Sequence, residues 1–509
     1  MNSFSEFDSK SSKVRKYQGK NNKGKIVNEF SDGYSITLDF KLNDQQIEVI
    51  NQIDEFVNNQ NERAMTISGW AGTGKTTMMQ IVADRYWFGH KIHFCATTHK
   101  AAGVLRAKTG KPVSTVNSLF GINVEIDMDG DVFDASKKKN VLATEKLNDN
   151  SIAIIDEASM LSEANYNEVI ECCSIHNAKV IFIGDAAQLA PVNENDISIV
   201  FRNNDNRIVE LNKVERTNDN SILKEATAIR LGGGFSYESN GNVEYINTND
   251  KSGIAGIFDT YIPGLKEDPN YFRILTYTNK SVEKLNTVTR KKLGYDGMNP
   301  QPGEPMMSYA NWGYLCSYPV TQYEFINSEA YTVINVSEPR KVSVASMFPS
   351  GVPVEENHDL YAEICDMSLQ DGLGEIHSVP YMDIKKNKNN YRIAKLLSYE
   401  KIAQWKRYKQ CKDKFSKIEC TKMVNAIEQF LFVNETIKDD NGYVLQQKVI
   451  DYGYAHTIHK SQGSTFKNVL INDLDVDNCD DNVTKRQLRY VALTRASDRV
   501  MIITNKSKV

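Results

Sequence analysis

Short apolar runs, each ending in glycine or polar residues, recur at residues 65–67, 92–96, 151–155, 179–183, 272–276, 469–471 and 500–503. Apolar at successive positions, they read as strands buried on both faces of parallel sheets. Helical periodicity fills the spaces between them. Ile47, Ile50, Ile53 and Phe56 form one stripe, with Asn43 the expected N-cap. Met78, Met79, Ile81, Val82 and Ala83 form a second, and Val282, Leu285 and Val288 a third. Strands alternating with helices predict an α/β protein. Two segments break the rhythm. Residues 112–145 hold a short hairpin at about 124–133, turning near Asp129-Gly130. Residues 321–447 carry an alternating strand at 331–336 and then a run of different character.

That run, from Lys385 to Lys422, is dense in lysine and arginine, opposed only by Glu400, Asp413 and Glu419. Tyr391, Tyr399, Trp405, Tyr408 and Phe415 are interleaved. The pattern suits phosphates and stacked bases, and equally a solvated helix face with core aromatics. The net charge of −4 does not mark a nucleic-acid binder, so only such local patches speak to one. Residues 1–40 are basic, rich in Ser, Asn, Lys and Gly, and are expected to be a disordered tail.

With 509 residues the chain has room for several domains, and 40% hydrophobic content is ordinary for a globular protein. No apolar run reaches membrane-spanning length and no signal-peptide core opens the chain, so a cytoplasmic protein without a membrane partner is expected. The eight cysteines form no C-x-x-C pair, which argues for reduced thiols over zinc or disulfides. His456 and His459 lack a third ligand of suitable spacing, which also argues against zinc.

The sharpest chemistry lies in Gly69-Trp70-Ala71-Gly72-Thr73-Gly74-Lys75-Thr76, which fits G-x-x-x-x-G-K-[ST] between a strand and a helix start. The N–H groups of such a loop cradle phosphates, and the helix N-terminus adds to the field. A nucleoside triphosphate is expected to meet Gly69, Ala71, Gly72, Thr73, Gly74, Lys75, Thr76 and Thr77. Lys75 is the ligand of the β- and γ-phosphates and Thr76 the hydroxyl ligand of Mg²⁺. Asp156-Glu157, after an apolar strand, supply the other half. Asp156 is expected to hold Mg²⁺ through water, and Glu157 to orient or deprotonate the attacking water. Gln46, ahead of the loop, is placed to bond an adenine edge. Gln188 lies at a strand's C-terminal end as a candidate γ-phosphate sensor, and Arg216 is a candidate phosphate clamp. Asn279-Lys280 lacks the aspartate that guanine recognition requires, because Val282 holds that position.

Taken in order, segments 69–77, 97–102, Asp156-Glu157, 184–192, Glu215-Arg216-Thr217, 456–465 and 490–496 resemble the superfamily 1 helicases. They are most similar to the phage Dda-type 5′→3′ DNA helicases, as are residues 278–286, 290–292 and 413–417. The resemblance covers about residues 40–509, loosely between 295 and 450. Asn117 departs from it where histidine is usual, and Ala190 where proline or arginine is common.

The resemblance implies two RecA-like parallel-sheet domains. Domain 1A would span 41–235, with a β-hairpin insertion at about 112–145. Domain 2A would take 236–320 and 448–509, around a larger, mostly β, SH3-like insertion at 321–447. ATP with Mg²⁺ would sit between them. Lys75, Glu157, Gln188 and Arg216 would act from the first, Arg495 would reach across from the second, and Gly463 would join the nucleotide contacts. The implied DNA contacts are Thr98, His99, Lys100, Thr115, Ser118, Phe133, Asn279, His456, Thr457, His459 and Lys460. The implied activity is 5′→3′ translocation on single-stranded DNA and unwinding of forked duplex, in phage replication or recombination. A monomer acting in the host cytoplasm, alongside single-stranded-DNA-binding or other replication proteins, is the implied setting. Two alternatives stay open: an ATPase that remodels nucleoprotein without separating strands, and an RNA helicase.

Overall fold

The computed structural model describes residues 26–29, 35–38, 40–86, 89–122, 124–126, 132–134, 147–191, 194, 196–214, 221–317, 320–348 and 360–506. Two parallel sheets organise it. The first runs in the order Arg207–Leu211, Ala64–Gly69, Lys179–Gly184, Ser151–Asp156, Lys91–Ala96 and Val113–Thr115. Its strand Ser151–Asp156 shows why the runs are continuously apolar. Ile152 and Ile154 enter one core with Val49, Ile53, Met78 and Val82, while Ala153 and Ile155 enter another with Val169 and Cys173.

The second sheet runs Val243–Asn247, Ala496–Thr504, Phe466–Asn472, Phe272–Thr276 and Ala455–Thr457, again parallel. Both are RecA-like α/β units. The helix Ser221–Arg230 packs into the second of them. Its Ile222, Ala226 and Ile229 share a core with Val469, Leu488, Val491 and Val500.

A third sheet is antiparallel, in the order Arg340–Ser343, Tyr361–Gln370, Ala330–Val336, Pro305–Ser308 and Ile450–Tyr452, with Ile376–Tyr381 pairing beside Tyr361–Gln370. It draws on strands before residue 321 and after 447. The basic run is helical: Lys388–Gln410 and Lys414–Gln429 pack on each other, and Asp413 caps the second helix by accepting from Ser416 N at 2.8 Å. Ile393, Ala394, Leu397 and Ile427 anchor the pair on Val344, Ala362 and Ile364. Several of its lysines are held in ion pairs: Lys385 with Asp451, Lys395 with Asp440 and Lys401 with Glu428. Lys406, Arg407, Lys409, Lys412, Lys414 and Phe415 are exposed.

Strands Val124–Ile126 and Val132–Asp134 pair antiparallel, which forms the expected hairpin with Phe133 on its second strand. Its turn lies outside the described residues, as do residues 1–25. The expectation of a disordered tail up to residue 40 is corrected for part of that stretch. Ile26–Glu29 pairs with Ser35–Leu38, and buried Asn28 accepts from Leu42 N at 2.7 Å, tying the ribbon to the first helix. Cys95, Cys172, Cys173, Cys365, Cys420 and Cys479 are buried free thiols. Among the described residues no helix is long and apolar enough to cross a membrane.

Candidate nucleotide site and nucleic-acid face

Parallel pairing sets the C-terminal ends of Ala64–Gly69, Lys179–Gly184 and Ser151–Asp156 side by side. Each end carries chemistry, as parallel sheets favour. The phosphate loop leaves the first, Asp185 follows the second, and Asp156-Glu157 close the third. Gly72 and Gly74 sit at φ +81° and +86°, the left-handed region that favours glycine. A Cβ on Gly69 would lie 2.7 Å from the Lys75 side chain, and one on Gly74 2.8 Å from Gln46 Nε2. Lys75 Nζ donates to Gly69 O at 2.7 Å and Trp70 O at 3.0 Å, folded over its own loop. Thr76 and Thr77 stand in the first turn of helix Lys75–Tyr86.

Gln46 is held against the phosphate loop. It is buried; its Oε1 accepts from Asn43 N at 3.1 Å and its Nε2 donates to Thr73 O at 3.1 Å. A capping box and a loop brace therefore occupy the amide.

Glu157 has φ +52°, unusual for a residue with a side chain, and its N–H donates to Asp156 Oδ1 at 2.9 Å. Burial, with the Glu157 charge adjacent, pushes Asp156 up to about 7. Glu157 Oε2 and Gln188 Oε1 are buried acceptors without a hydrogen-bond partner. A carboxylate raised by burial, two orphaned acceptors and the Thr76 hydroxyl in the helix that follows the loop are donor types that fit Mg²⁺ and its waters.

Across the cleft stands helix Asn482–Thr494 of the second unit. Tyr490 Oη accepts from Ala71 N at 3.2 Å and donates to Asp185 Oδ2 at 2.6 Å. Arg230 pairs with Asp185 and lies 4.9 Å from the Trp70 ring centroid. Arg495, at the end of the same helix, is buried and donates to Val491 O, Ser464 O and Thr494 Oγ1 at 3.1, 3.3 and 2.9 Å. Gly463, at φ +72°, lies in the loop that Arg495 holds and approaches Ala101. Arg216 lies outside the described residues. Sequence reasoning missed Arg230 and the Tyr490 hydroxyl. Tyr490 lay inside a recognised segment, but nothing local ties it to Asp185, 305 positions away.

The nucleic-acid candidates divide. His99, Ser118, Asn279 and His459 are exposed, and each follows the C-terminal end of a parallel strand. Thr98 and Thr115 are N-caps, accepting from Ala101 N at 3.1 Å and Ser118 N at 3.2 Å. Asp475, another residue the sequence did not flag, accepts from Thr276 Oγ1, Tyr277 N and Thr278 N at 2.6, 2.8 and 2.6 Å and so sets the loop before Asn279. Lys100 is buried with Nζ on Lys460 O, and Lys460 Nζ donates to Asn327 Oδ1 at 2.9 Å beside the Tyr309 ring. Thr457 is buried and accepts from Lys460 N at 3.3 Å.

His456 is corrected. It lies on a strand buried at every position, against Phe466, at 2% exposure. Burial and the charges of Arg273, Lys100 and Lys460 hold its pKa well below the usual histidine range, so it is neutral and faces the core, not a nucleic acid.

Residues 41–248 match a family described as AAA domain, and residues 452–503 one described as UvrD-like helicase C-terminal domain. The chain is similar to the ATP-dependent DNA helicase dda of Enterobacteria phage T4, 31% identical over 254 residues, 45% of this chain and 52% of that protein. It is also similar to an uncharacterized protein of Acanthamoeba polyphaga mimivirus, 22% identical over 504 residues, 90% of this chain and 99% of the other. A crystal structure of Pif1 helicase from Bacteroides in complex with ADP-AlF3 and ssDNA aligns over 92% of this chain and 93% of that one, at 17% identity and a TM-score of 0.47. The two family matches take in the phosphate loop and paired carboxylates of the first sheet and the Tyr490–Arg495 helix of the second. The chain belongs to the superfamily 1 helicases, is related to Dda, and is an ATP-hydrolysing helicase.

Proposed function

We propose that this enzyme translocates 5′→3′ on single-stranded DNA and separates forked duplex ahead of it, in viral or phage DNA replication or recombination. The observation that carries the ATP-driven part of the reading is the convergence of Lys75, Asp156-Glu157 and Asp185–Gln188 on one sheet edge, with the Tyr490–Arg495 helix closing over it. Lys75 leaves its carbonyl partners to bind the β- and γ-phosphates of ATP. Glu157, its carboxylate oxygen unpartnered, orients the attacking water and takes its proton. Gln188 senses the γ-phosphate, and Arg495, freed from its own unit, meets the charge that develops there. Thr76, and Asp156 through water, would hold Mg²⁺, which would supply charge neutralisation at the phosphates.

The DNA class and the polarity come from the resemblance to Dda, which is named as a DNA helicase. His99 and Ser118 on one unit, and Asn279 and His459 on the other, offer exposed polar groups at strand ends where a backbone passes. Strand release from substrates carrying only a 5′ or only a 3′ tail tests the reading. ATP-dependent release confined to the 5′ tail is expected. Release confined to the 3′ tail overturns the polarity, and DNA-stimulated hydrolysis without release makes the enzyme a remodeller. Stimulation by RNA alone makes RNA the substrate.

A further inference from the structure

The Tyr490 hydroxyl is fully used. A phenol has one proton to donate and two lone pairs to accept with. The proton goes to Asp185 Oδ2 at 2.6 Å; the lone pairs take Ala71 N–H at 3.2 Å and Arg230 Nη1 at 3.4 Å. These partners come from three stretches: the phosphate loop, the strand end that leads to Gln188, and the helix Ser221–Arg230. Asp185 is completely buried, and besides Tyr490 and Arg230 its Oδ1 takes Ala187 N–H at 3.1 Å. The Arg230 guanidinium covers the Trp70 ring at 4.9 Å and the Tyr490 ring at 5.7 Å, which fixes the plane of the cluster. Burial and the Asp185 charge push the Tyr490 hydroxyl upward, so it keeps its proton.

Position gives this cluster its meaning. Tyr490 stands on the helix that Arg495 ends, five residues earlier and therefore less than one and a half turns away. A helix interior is stiff over that span. The point where Tyr490 is pinned sets where Arg495 leaves the helix. The pin lies on the loop that holds the phosphates and on the strand end that carries Gln188.

We propose that Tyr490 is a positioning residue. Held by Ala71, Asp185 and Arg230, it registers the second unit's helix against the phosphate loop and so aims Arg495 at the γ-phosphate. This rests on the reading of Arg495 given above. Tyr490 acts through Arg495 and needs no contact with nucleotide or nucleic acid.

The test is single-stranded-DNA-stimulated ATP hydrolysis by the full chain carrying Tyr490→Phe, Arg495→Ala or both. Tyr490→Phe keeps the ring and removes the hydroxyl. It is expected to lower kcat about tenfold while leaving KM for ATP within about twofold, the signature of an interaction realised in the transition state. The double variant is expected to fall no lower than Arg495→Ala alone, which a merely structural role would not produce. Arg230→Lys keeps a charge on Asp185 but loses the planar contact with both rings, and is expected to lower kcat by a smaller factor if Tyr490→Phe proves unstable. Normal kcat in Tyr490→Phe beside a crippled Arg495→Ala overturns the positioning role and leaves the Arg495 reading intact. Additive losses in the double variant also overturn it. Normal kcat in Arg495→Ala overturns both.

Discussion

Lys100 Nζ donates to the Lys460 carbonyl oxygen at 2.5 Å, joining the helix His99–Thr109 of the first unit to the 3₁₀ turn His459–Ser461 of the second. Burial, with Arg273, Lys460 and Arg495 near it, lowers Lys100 from 10.5 to about 7. The fold disfavours the ammonium form, so the full penalty applies below about pH 7. As pH rises from there toward 10.5, the unfolded chain keeps the proton and the folded one does not, so this residue's contribution to stability improves. Lys100→Met is expected to flatten that part of the pH dependence. Denaturation midpoints of both proteins across about pH 6.5–9.5 check it, and parallel curves refute it.

Hydrolysis separates the roles at the sheet edge. Lys75→Ala is expected to abolish turnover. Glu157→Gln is expected to bind ATP normally and lose about 10²–10⁴-fold in rate. Nucleotide binding measured beside steady-state turnover distinguishes the two, and normal turnover in Glu157→Gln removes that carboxylate from the reaction. Arg495→Ala is expected to cost about 10³-fold in turnover with single-strand affinity retained.

The exposed end of the helix pair is expected to hold nucleic acid. Replacing Lys406, Arg407 and Lys409 with glutamate should weaken single-strand binding and reduce the salt slope by about 0.7 for each phosphate that is no longer neutralised. Titrations at several salt concentrations measure this. Affinities that coincide with the parent at every salt would leave the helices as a solvated face.

The hairpin of Val124–Ile126 and Val132–Asp134 is the expected wedge at a fork. Exchanging residues 127–131 for a Gly-Ser linker should spare DNA-stimulated hydrolysis and slow strand separation. Unwinding at the parent's rate and amplitude would place the separation point elsewhere.

Legibility in the sequence followed the range of the physics. The strands at 151–155 and 272–276 and the phosphate loop were readable because burial on both faces and a glycine-rich turn leave local marks. The Lys388–Gln410 helix was ambiguous because its buried positions, Ile393, Ala394 and Leu397, are sparse among lysines. Gln46 carried the right residue type, but its partner, Thr73 O, belongs to a loop the chain reaches 27 residues later. Arg230 and Asp475 left no local signal. Their meaning comes from Asp185 and from the Thr276–Thr278 backbone, brought to them only by folding.

The packing of Ser221–Arg230 into the second core bears on how the gene can be divided. A protein ended near residue 235 would carry this helix away from Val469, Leu488 and Val500 and leave Ile222, Ala226 and Ile229 facing water. Each isoleucine buried is worth roughly 1.5–3 kcal/mol, so such a fragment would be sticky and poorly behaved. Cutting before Ser221 instead leaves the greasy helix with its own partners. Separately expressed halves divided there are the ones expected to stay in solution, and mixing them would show whether Tyr490 and Arg230, carried on one half, can find Asp185 on the other without a covalent tether.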